Sequence, residues 1–450
     1  MKSEKFLNFV FYVSLASSVL CYWLIGYYFD RFDSSYLIFS YVFTFFAYIA
    51  IMYCKISPLA ILIIGLIFRL IFIISYPELS QDYYRFLWDG NLQLININPY
   101  LYAPNELIIK NNLFDSAADL YRGMGELSNI HYSNYPPISQ WIYFFTSFFS
   151  KSIIESVVIL RCVIILFELG TFYTIYVILK YFNLPSSKVG WYFLNPLVII
   201  ELTGNLHGEG IMMFFFLLGT LLLYQKKIFQ SSIIMALSIG TKLFTLIIIP
   251  LYYKKLKINK SLYYYVLMII IFILLWLPYF NENIYKNYFQ TINLWFNRFE
   301  FNASIYYLTR EVGYYFKGYN IIREYGKILP FIVILAISFF TFFRKNNTFN
   351  SVIVNQLFLL SFYFLIATTI HPWYIISLIT LCVFTPYFFP IIWSATIFIS
   401  YSAYNLNGFN EQPKLLVFEY LIVFSFVLFE IIGGQNKIFK AFAKNPTPLK

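Results

Sequence analysis

The sequence predicts an all-α protein built from many membrane-embedded helices, and three global properties lead to that prediction. Hydrophobic residues make up 60% of the 450 residues and charged residues only 12%. The mean hydropathy is +0.68. Soluble domains carry about 25% charged residues, and a soluble surface cannot be this apolar. These values exclude a soluble enzyme, a nucleic-acid-binding module and a disordered chain, so lipid is the solvent for most of the chain.

Long apolar segments follow one another along the chain. A hydrocarbon core about 30 Å thick needs about 20 apolar residues in helical form. Segments of this kind cover 6–28, 36–54, 58–76, 153–180, 189–203, 209–225, 261–280, 327–343, 350–370, 374–388, 389–404 and 415–433. With one further, interrupted segment they predict a single domain over 1–450 with about 12–14 membrane segments.

The interrupted segment is the apolar stretch 228–253, which is broken by Gly240-Thr241-Lys242 and flanked by lysines on both sides. Broken helices occur inside membranes where the freed backbone groups face protein or water. We therefore predict two short half-helices that enter and leave the membrane on the same side.

Lysine and arginine gather in short loops on one side of the predicted topology. They are Lys226, Lys227, Lys254, Lys255, Lys257, Lys260, Arg344, Lys345 and, in the tail, Lys437, Lys440, Lys444 and Lys450. The positive-inside rule assigns that side, and with it both termini, to the cytoplasm. The net charge of +11 then follows from topology and does not indicate a nucleic-acid partner.

The opposite, outer side carries two long polar segments, 77–140 and 281–326, of which the first is expected to hold juxtamembrane helices. Titratable residues from separate parts of the chain map to this side: Asp82, His131, Glu201, His207, Glu209 and His371. Their convergence on one membrane surface predicts an active site that faces away from the cytoplasm.

Asp82 begins the first polar group, residues 80–90. In a helix, Asp82, Arg85 and Asp89 lie on one face. A carboxylate fixed at the membrane surface suits a general base that acts on a hydroxyl group. The alternative is a solvated juxtamembrane helix with an Asp82–Arg85 salt bridge.

Three further groups could carry chemistry, each with a structural alternative. The run 204–209 places His207 and Glu209 at an outer helix start, or is a polar hairpin. Lys242 is an intramembrane cation that could meet a lipid-borne phosphate, or a lysine that extends to the interface. His371-Pro372-Trp373-Tyr374 could bind a phosphate and stack on a sugar, or form an aromatic interfacial turn.

Two proline-containing turns and three intramembrane charges favour structural roles. The turns are Asn98-Pro99-Tyr100 and Tyr135-Pro136-Pro137, and their tyrosines could line a pocket at the interface. Arg69, Arg161 and Glu168 lie within apolar segments, where pairing within the helix or the bundle is expected.

Several of these blocks together resemble bacterial polyprenol-phosphate-mannose-dependent mannosyltransferases of the integral-membrane GT-C superfamily. The similar blocks occur in the family's order between residues 77 and 375. They are Asp82 to Gly90, Ile97 to Tyr100 with Ala103-Pro104, Tyr135-Pro136-Pro137, Asn195-Pro196 to His207, Lys242 with Pro250, Asn302 to Leu308, and His371 to Tyr374. The chain departs from the family at Gln81-Asp82, where two acids are frequent, and at Glu209, where Asp is frequent.

The resemblance implies a GT-C fold and transfer of a hexose, expected to be mannose, from a polyprenyl-phosphate donor with inversion at the anomeric carbon. It implies Asp82 as general base and Lys242, His371 and Arg85 at the donor phosphate. Residues implied in binding the sugar or the acceptor are Trp88, Asp89, Asn98, Tyr100, Tyr135, Glu201, Asn205, His207, Glu209, Trp373 and Tyr374. No metal or cofactor is implied.

The implied partners are the lipid bilayer, the lipid-linked donor and a glycan, glycolipid or glycoprotein acceptor, and the implied location is the bacterial cytoplasmic membrane with the active site outside. Three alternatives stay open at the level of the sequence. They are a lipid-linked sugar flippase or other transporter, a ligase or polymerase that uses a diphosphate-linked oligosaccharide, and a non-catalytic membrane scaffold.

Overall fold

A computed structural model describes residues 2–110, 113–405 and 408–434, and most of these are helical. The tail lysines used to orient the chain, Lys437, Lys440, Lys444 and Lys450, lie outside the described residues. The first twelve α-helices are α1 (Lys2–Tyr27), α2 (Ser34–Tyr53), α3 (Pro58–Ile71), α4 (Asp82–Leu94), α5 (Pro104–Leu107), α6 (Ala117–Gly123), α7 (Gly125–Asn129), α8 (Pro137–Phe148), α9 (Ile153–Tyr181), α10 (Gly190–Phe193), α11 (Pro196–Val198) and α12 (Glu209–Tyr224).

The remaining α-helices are α13 (Ile228–Thr241), α14 (Thr245–Ile248), α15 (Tyr253–Leu256), α16 (Ile258–Trp276), α17 (Ile284–Asn297), α18 (Ile305–Lys317), α19 (Ile322–Ser338), α20 (Phe349–Ile366), α21 (Ile375–Cys382), α22 (Phe389–Thr396) and α23 (Pro413–Phe429). Short 3-10 turns cover Ser186–Val189, Ile249–Tyr252, Leu277–Tyr279, Pro372–Tyr374 and Ile397–Ala403. Wider π turns cover Ile199–Gly204, Phe339–Phe343 and Glu430–Gly434. Within the described residues, the strands are β1 (Tyr404–Asn405) and β2 (Gly408–Phe409), which pair antiparallel.

The helices confirm the predicted all-α polytopic membrane bundle. Six described helices are long and apolar enough to cross a membrane: Lys5–Tyr27, Ser34–Tyr53, Ile258–Tyr279, Ile322–Phe343, Phe349–Ile366 and Pro413–Gly433. The bent pair Pro196–Gly204 and Glu209–Tyr224 adds a seventh if it forms one span. Shorter apolar helices at Pro58–Ile71, Ile228–Thr241, Pro372–Cys382 and Phe389–Ala403 match other predicted segments.

Two helices are shorter than the apolar segments of the sequence that contain them. Helix α3 ends at Ile71, although the apolar segment continues to 76, and Pro77 follows. Helix α21 ends at Cys382, although the apolar segment continues to 388 across Pro386. Hydropathy therefore overestimates the length of both helices, each of which ends before the next proline.

The chain forms two compact units. The first unit comprises Met1–Leu79, Ile164–Gly210 and His371–Lys450. Its interior contains a buried ion pair in which Arg69 NH2 lies 3.0 Å from Glu168 Oε2. Arg69 NH1 also donates to the Phe193 carbonyl, and the Tyr192 hydroxyl donates to Glu168. Glu168 is therefore paired with an arginine of another segment, as buried charges in lipid require.

The second unit comprises Ser80–Val163 and Ile211–Ile370. Helix α4 packs closely on α8, and a Cβ at Gly90 would clash with the Tyr143 carbonyl, so only glycine permits this approach. Helix α13 packs on α16 and touches α8 near its end. Helix α8 thus contacts both α4 and α13, and so connects the 80–148 region to the interrupted segment 228–253.

The segment 228–253 forms a hairpin within the second unit. It ascends as α13, is interrupted at Lys242 and returns through α14 and the turn Ile249–Tyr252. Its two ends, Ile228 and Tyr253, line the same cavity. The segment therefore returns to the level from which it starts, which supports the predicted pair of half-helices.

Candidate active site

Asp82 is the first residue of α4 and lies partly buried at the start of that helix. It accepts a hydrogen bond from Tyr135 and lies within electrostatic range of Lys242. Burial raises the pKa of Asp82 above its ordinary value of 3.8, and the Lys242 charge and the Tyr135 hydrogen bond partly oppose that rise. These three residues, the Asp82 cluster, thus join a carboxylate, a phenol and a cation.

Lys242 reaches this position because α13 ends immediately before it. Its backbone is extended, with φ −151° and ψ 144°, where the helical turn of the hairpin breaks. The Ser139 hydroxyl of α8 donates to the Thr241 carbonyl over 2.8 Å. This bond holds the tip of the hairpin against α8, so the predicted break has a specific consequence: it brings the lysine to Asp82.

Asp89 lies about two turns further along α4 than Asp82 and is fully buried in a hydrogen-bond network. Arg85 Nε lies 2.8 Å from its Oδ1. Its Oδ2 accepts from the Ser133 hydroxyl at 2.5 Å and from Gln140 Nε2 at 2.8 Å. Arg85 thus forms an ion pair with Asp89, the residue four positions later on the same helix.

Arg85 also crosslinks α4 to the loop before α8. Its NH1 donates to the carbonyls of Ser128 and His131, each over 2.8 Å. These contacts fix the loop that carries Tyr135. They give Arg85 and Asp89 a positioning role in the described structure, and their predicted contacts with phosphate and sugar stay predictions.

A buried aromatic cluster supports Tyr135 from the other side. The Tyr100 hydroxyl donates to the Tyr135 carbonyl over 2.5 Å, and its ring packs on Trp276 and Tyr279. Asn98 Nδ2 donates to the Tyr279 carbonyl over 2.7 Å. Asn98 and Tyr100, both from the first proline-containing turn, thus help to hold the loop that carries Tyr135 in place.

Trp88 is fully buried and packs on Phe114 and Tyr121. Its ring belongs to the interior of the second unit in this conformation. Contact with a sugar stays a prediction for this residue.

A second group of polar side chains lies in the first unit and is built around Glu201. Glu201 sits in the π turn Ile199–Gly204 and is fully buried. Its Oε1 accepts from the Tyr401 hydroxyl at 2.7 Å and its Oε2 from Asn205 Nδ2 at 3.0 Å. His207 Nε2 lies 3.7 Å from Oε2. Glu201, Asn205, His207 and Tyr401 form the Glu201 cluster, in which the imidazole lies beside the carboxylate.

The π turn comes shortly after the Asn195-Pro196 pair. Asn195 Oδ1 accepts from the Leu197 amide at 2.9 Å, and Pro196 occupies the first helical position. The backbone then widens into the π turn, a feature frequent at functional sites. Leu206 closes it with a φ of 64°, and Glu209, which is fully buried, begins α12.

Trp373 holds two histidines by stacking. The rings of His207 and Trp373 are 3.7 Å apart with an interplanar angle of 18°. His371 stacks on the same indole at 4.4 Å and 5°, and Tyr374 meets His371 edge-on. Trp373 therefore packs on imidazoles in this conformation, and its predicted stacking on a sugar stays a prediction.

Sequence reasoning missed Ser133, Gln140 and Tyr401, which complete the hydrogen bonds of Asp89 and Glu201. Ser133 and Gln140 flank a proline pair, and nothing in that pattern indicates a buried acceptor. Among the described residues, no three His, Cys, Asp or Glu side chains are grouped so that they could hold a metal ion.

The sequence model of the alpha-(1->6)-mannopyranosyltransferase family, N-terminal domain, matches residues 8–254. The match covers more than half of the 450 residues. The chain belongs to this family. The matched region, residues 8–254, includes the Asp82 cluster and the Glu201–His207 region and ends before His371.

Membership in the alpha-(1->6)-mannopyranosyltransferase family confirms the resemblance stated from the sequence blocks. It identifies the chain as a membrane-embedded glycosyltransferase with mannosyltransferase relatives. No curated protein matches the chain.

Proposed function

We propose that this protein transfers a mannosyl residue from a polyprenyl-phosphate-linked donor to a hydroxyl group of a glycan, glycolipid or glycoprotein at the outer face of a bacterial cytoplasmic membrane. The observation that carries the proposal is the Asp82 cluster. A carboxylate with a raised pKa, an intramembrane cation and a phenol lie together at a helix start. Family membership supplies the sugar.

The reaction is a single displacement at the anomeric carbon. The acceptor oxygen forms a bond to C1 while the bond from C1 to the phosphate oxygen breaks. The acceptor proton passes to Asp82, and the bonding electron pair leaves with the polyprenyl phosphate. Inversion that yields an α-linkage, as in the family description, requires a β-linked donor.

Asp82 suits the role of general base for a physical reason. Its raised pKa makes the carboxylate a stronger proton acceptor than an exposed aspartate, while Lys242 favours the ionised form. General bases are most effective when their pKa lies close to the operating pH. Tyr135 keeps the carboxylate in place through its hydrogen bond.

Lys242 suits the donor phosphate because a cation in a low-dielectric site stabilises the charge that develops on the leaving group. It lies at the tip of the 228–253 hairpin, beside the base. We also propose a phosphate-binding role for His371, and sugar- or acceptor-binding roles for Glu201, Asn205, His207 and Glu209. We propose the same sugar- or acceptor-binding role for Tyr374.

The direction of α16 supports an outward-facing site. The span Ile258–Tyr279 has 22 residues, which is about 33 Å as a helix. Its first residues lie beside the lysines of 254–260, and its last residues pack on Tyr100 of the 77–140 segment. The lysine-rich level and the polar segment thus lie at opposite ends of one membrane-length helix, as the positive-inside rule requires.

The direct test is Asp82→Asn in membranes supplied with polyprenyl-phosphate mannose and an extracted glycan acceptor. We expect transfer to fall about 10²- to 10⁴-fold because the general base is lost. The matched control is Asp119→Asn, an exposed aspartate of the same polar segment paired with Arg122. Full activity of Asp82→Asn would remove Asp82 from the mechanism. Movement of the donor across proteoliposomes without a new glycosidic bond would identify a flippase instead.

A further inference from the structure

We propose that the second unit binds the headgroup of an anionic phospholipid in a lysine-lined cavity at the end of the unit opposite the Asp82 cluster. The cavity has a volume of about 760 Å³ and is formed by the turn between α12 and α13 together with α15 and the start of α16. We call it the lysine pocket. Its occupant is independent of the transfer reaction proposed above.

The charge of the lysine pocket is uniform. Five lysines line it: Lys226, Lys254, Lys255, Lys257 and Lys260. Residues 210–281 contain no Asp or Glu, so the segments that form the pocket supply no counter-charge. Basic pockets between membrane helices at the cytoplasmic level bind phosphate-bearing lipid headgroups.

Two of the lysines are anchored by the protein, which gives the pocket a defined wall. Lys254 Nζ donates to the Arg344 carbonyl over 2.8 Å, and Lys255 lies 4.8 Å from the centre of the Tyr224 ring. Lys226, Lys257 and Lys260 are exposed at its mouth. The pocket therefore combines a positioned wall with cations that face an incoming anion.

The apolar surface beside the pocket distinguishes a phospholipid from free phosphate. Four apolar side chains of α16 are largely exposed: Ile258 (69%), Leu262 (67%), Val266 (46%) and Ile270 (47%). Residues four apart lie on one face of a helix, so these side chains form an exposed stripe that begins at the pocket and follows α16. An acyl chain can lie along this stripe while its headgroup meets the lysines, whereas inorganic phosphate gains nothing from it.

The test compares the intact protein in nanodiscs of phosphatidylcholine with nanodiscs that also contain phosphatidylglycerol, with retained lipids counted by native mass spectrometry. We expect phosphatidylglycerol to be retained in preference to phosphatidylcholine. The triple variant Lys226→Gln, Lys257→Gln, Lys260→Gln should lose at least about tenfold of this preference. The corresponding triple Arg variant should keep it, because the charge is preserved.

The matched control carries Lys286→Gln, Lys317→Gln and Lys327→Gln, three exposed lysines of the same unit outside the pocket. It should retain the preference of the unmodified protein. Equal retention of both lipids, an undiminished preference in the pocket variant, or an equal loss in the control variant overturns the proposal. Displacement of phosphatidylglycerol by inorganic phosphate at matched concentration would identify a free-phosphate site and also overturn it.

Discussion

The ionisation of Asp82 reflects burial opposed by Lys242. Burial raises the pKa of this carboxyl group, and the lysine charge lowers it. A general base must be deprotonated to accept a proton, so transfer should decline as the pH falls through the pKa of Asp82. Because that pKa lies above 3.8, the acid limb of the pH profile should lie above the range of an exposed aspartate.

Lys242→Gln tests this coupling. Loss of the cation removes an interaction that favours the ionised carboxylate, so the pKa of Asp82 should rise and the acid limb should move to higher pH. The measurement is the midpoint of the limb in a profile of transfer against pH, which is separate from any loss of maximal rate. Lys286→Gln, an exposed lysine of the same unit, should leave the midpoint unchanged. An unshifted midpoint in Lys242→Gln would show that the lysine does not act on Asp82.

Trp373 permits a second residue-scale prediction, since its ring packs on His207 and His371. Trp373→Leu removes the stacking surface, and we expect transfer to fall because both imidazoles lose their orientation. Trp373→Phe keeps an aromatic face and should retain a larger part of the activity. The control is Trp141→Leu, a tryptophan that is 41% exposed. Equal activities for the Leu and Phe variants would argue against a stacking role.

For single residues, the sequence indicated which ionisable side chains could be functional, but it did not indicate which side chains they contact. Lys242 could be predicted as functional because a charge inside an apolar segment is costly, and Asp82 because a carboxylate at the membrane surface suits a general base. The Asp82–Tyr135 hydrogen bond and the Ser133 and Gln140 contacts of Asp89 could not. These partners come from a loop and helix 44 to 53 residues later, and hydropathy carries no information about which polar side chains meet.

Among the elements, the break of segment 228–253 at Lys242 was predicted from its glycine, threonine and lysine, whereas the lengths of α3 and α21 were not. A break is encoded locally, whereas the position of a helix end depends on both the apolar pattern and the restrictions that proline imposes on the residue before it. The end of α21 at Cys382, inside an apolar run, is the clearest case.

Helix α22 illustrates a cap supplied by a distant element. Glu430 accepts hydrogen bonds from the Phe388 and Phe389 amides at 2.7 and 3.0 Å, which joins the start of α22 to the end of α23. Glu430→Ala removes the acceptor of both bonds. We expect a loss of about 2–4 kcal/mol in the free energy of unfolding, measured as a lower midpoint of thermal unfolding in detergent. Glu282→Ala, at an exposed glutamate, should leave the midpoint unchanged, and equal midpoints for both variants would contradict the capping role.

At the scale of the whole molecule, the orientation in the membrane decides whether the proposed site faces outside. The second unit allows a test because Lys257 and Asp119 belong to the same unit and, by the course of α16, to its two opposite levels. We expect Lys257→Cys to react with a membrane-impermeant maleimide only after the cytoplasmic face is opened. Asp119→Cys should react in intact cells.

The background for this experiment is Cys162→Ser, since Cys162 is the exposed cysteine among the described ones and Cys21, Cys54 and Cys382 are buried. Labelling of both positions from the same side would contradict the assignment of α16 as a full span. Labelling of both in the reversed sense would keep the span and place the Asp82 cluster in the cytoplasm. The sidedness of the two residues thus decides on which face of the membrane the proposed acceptor must lie.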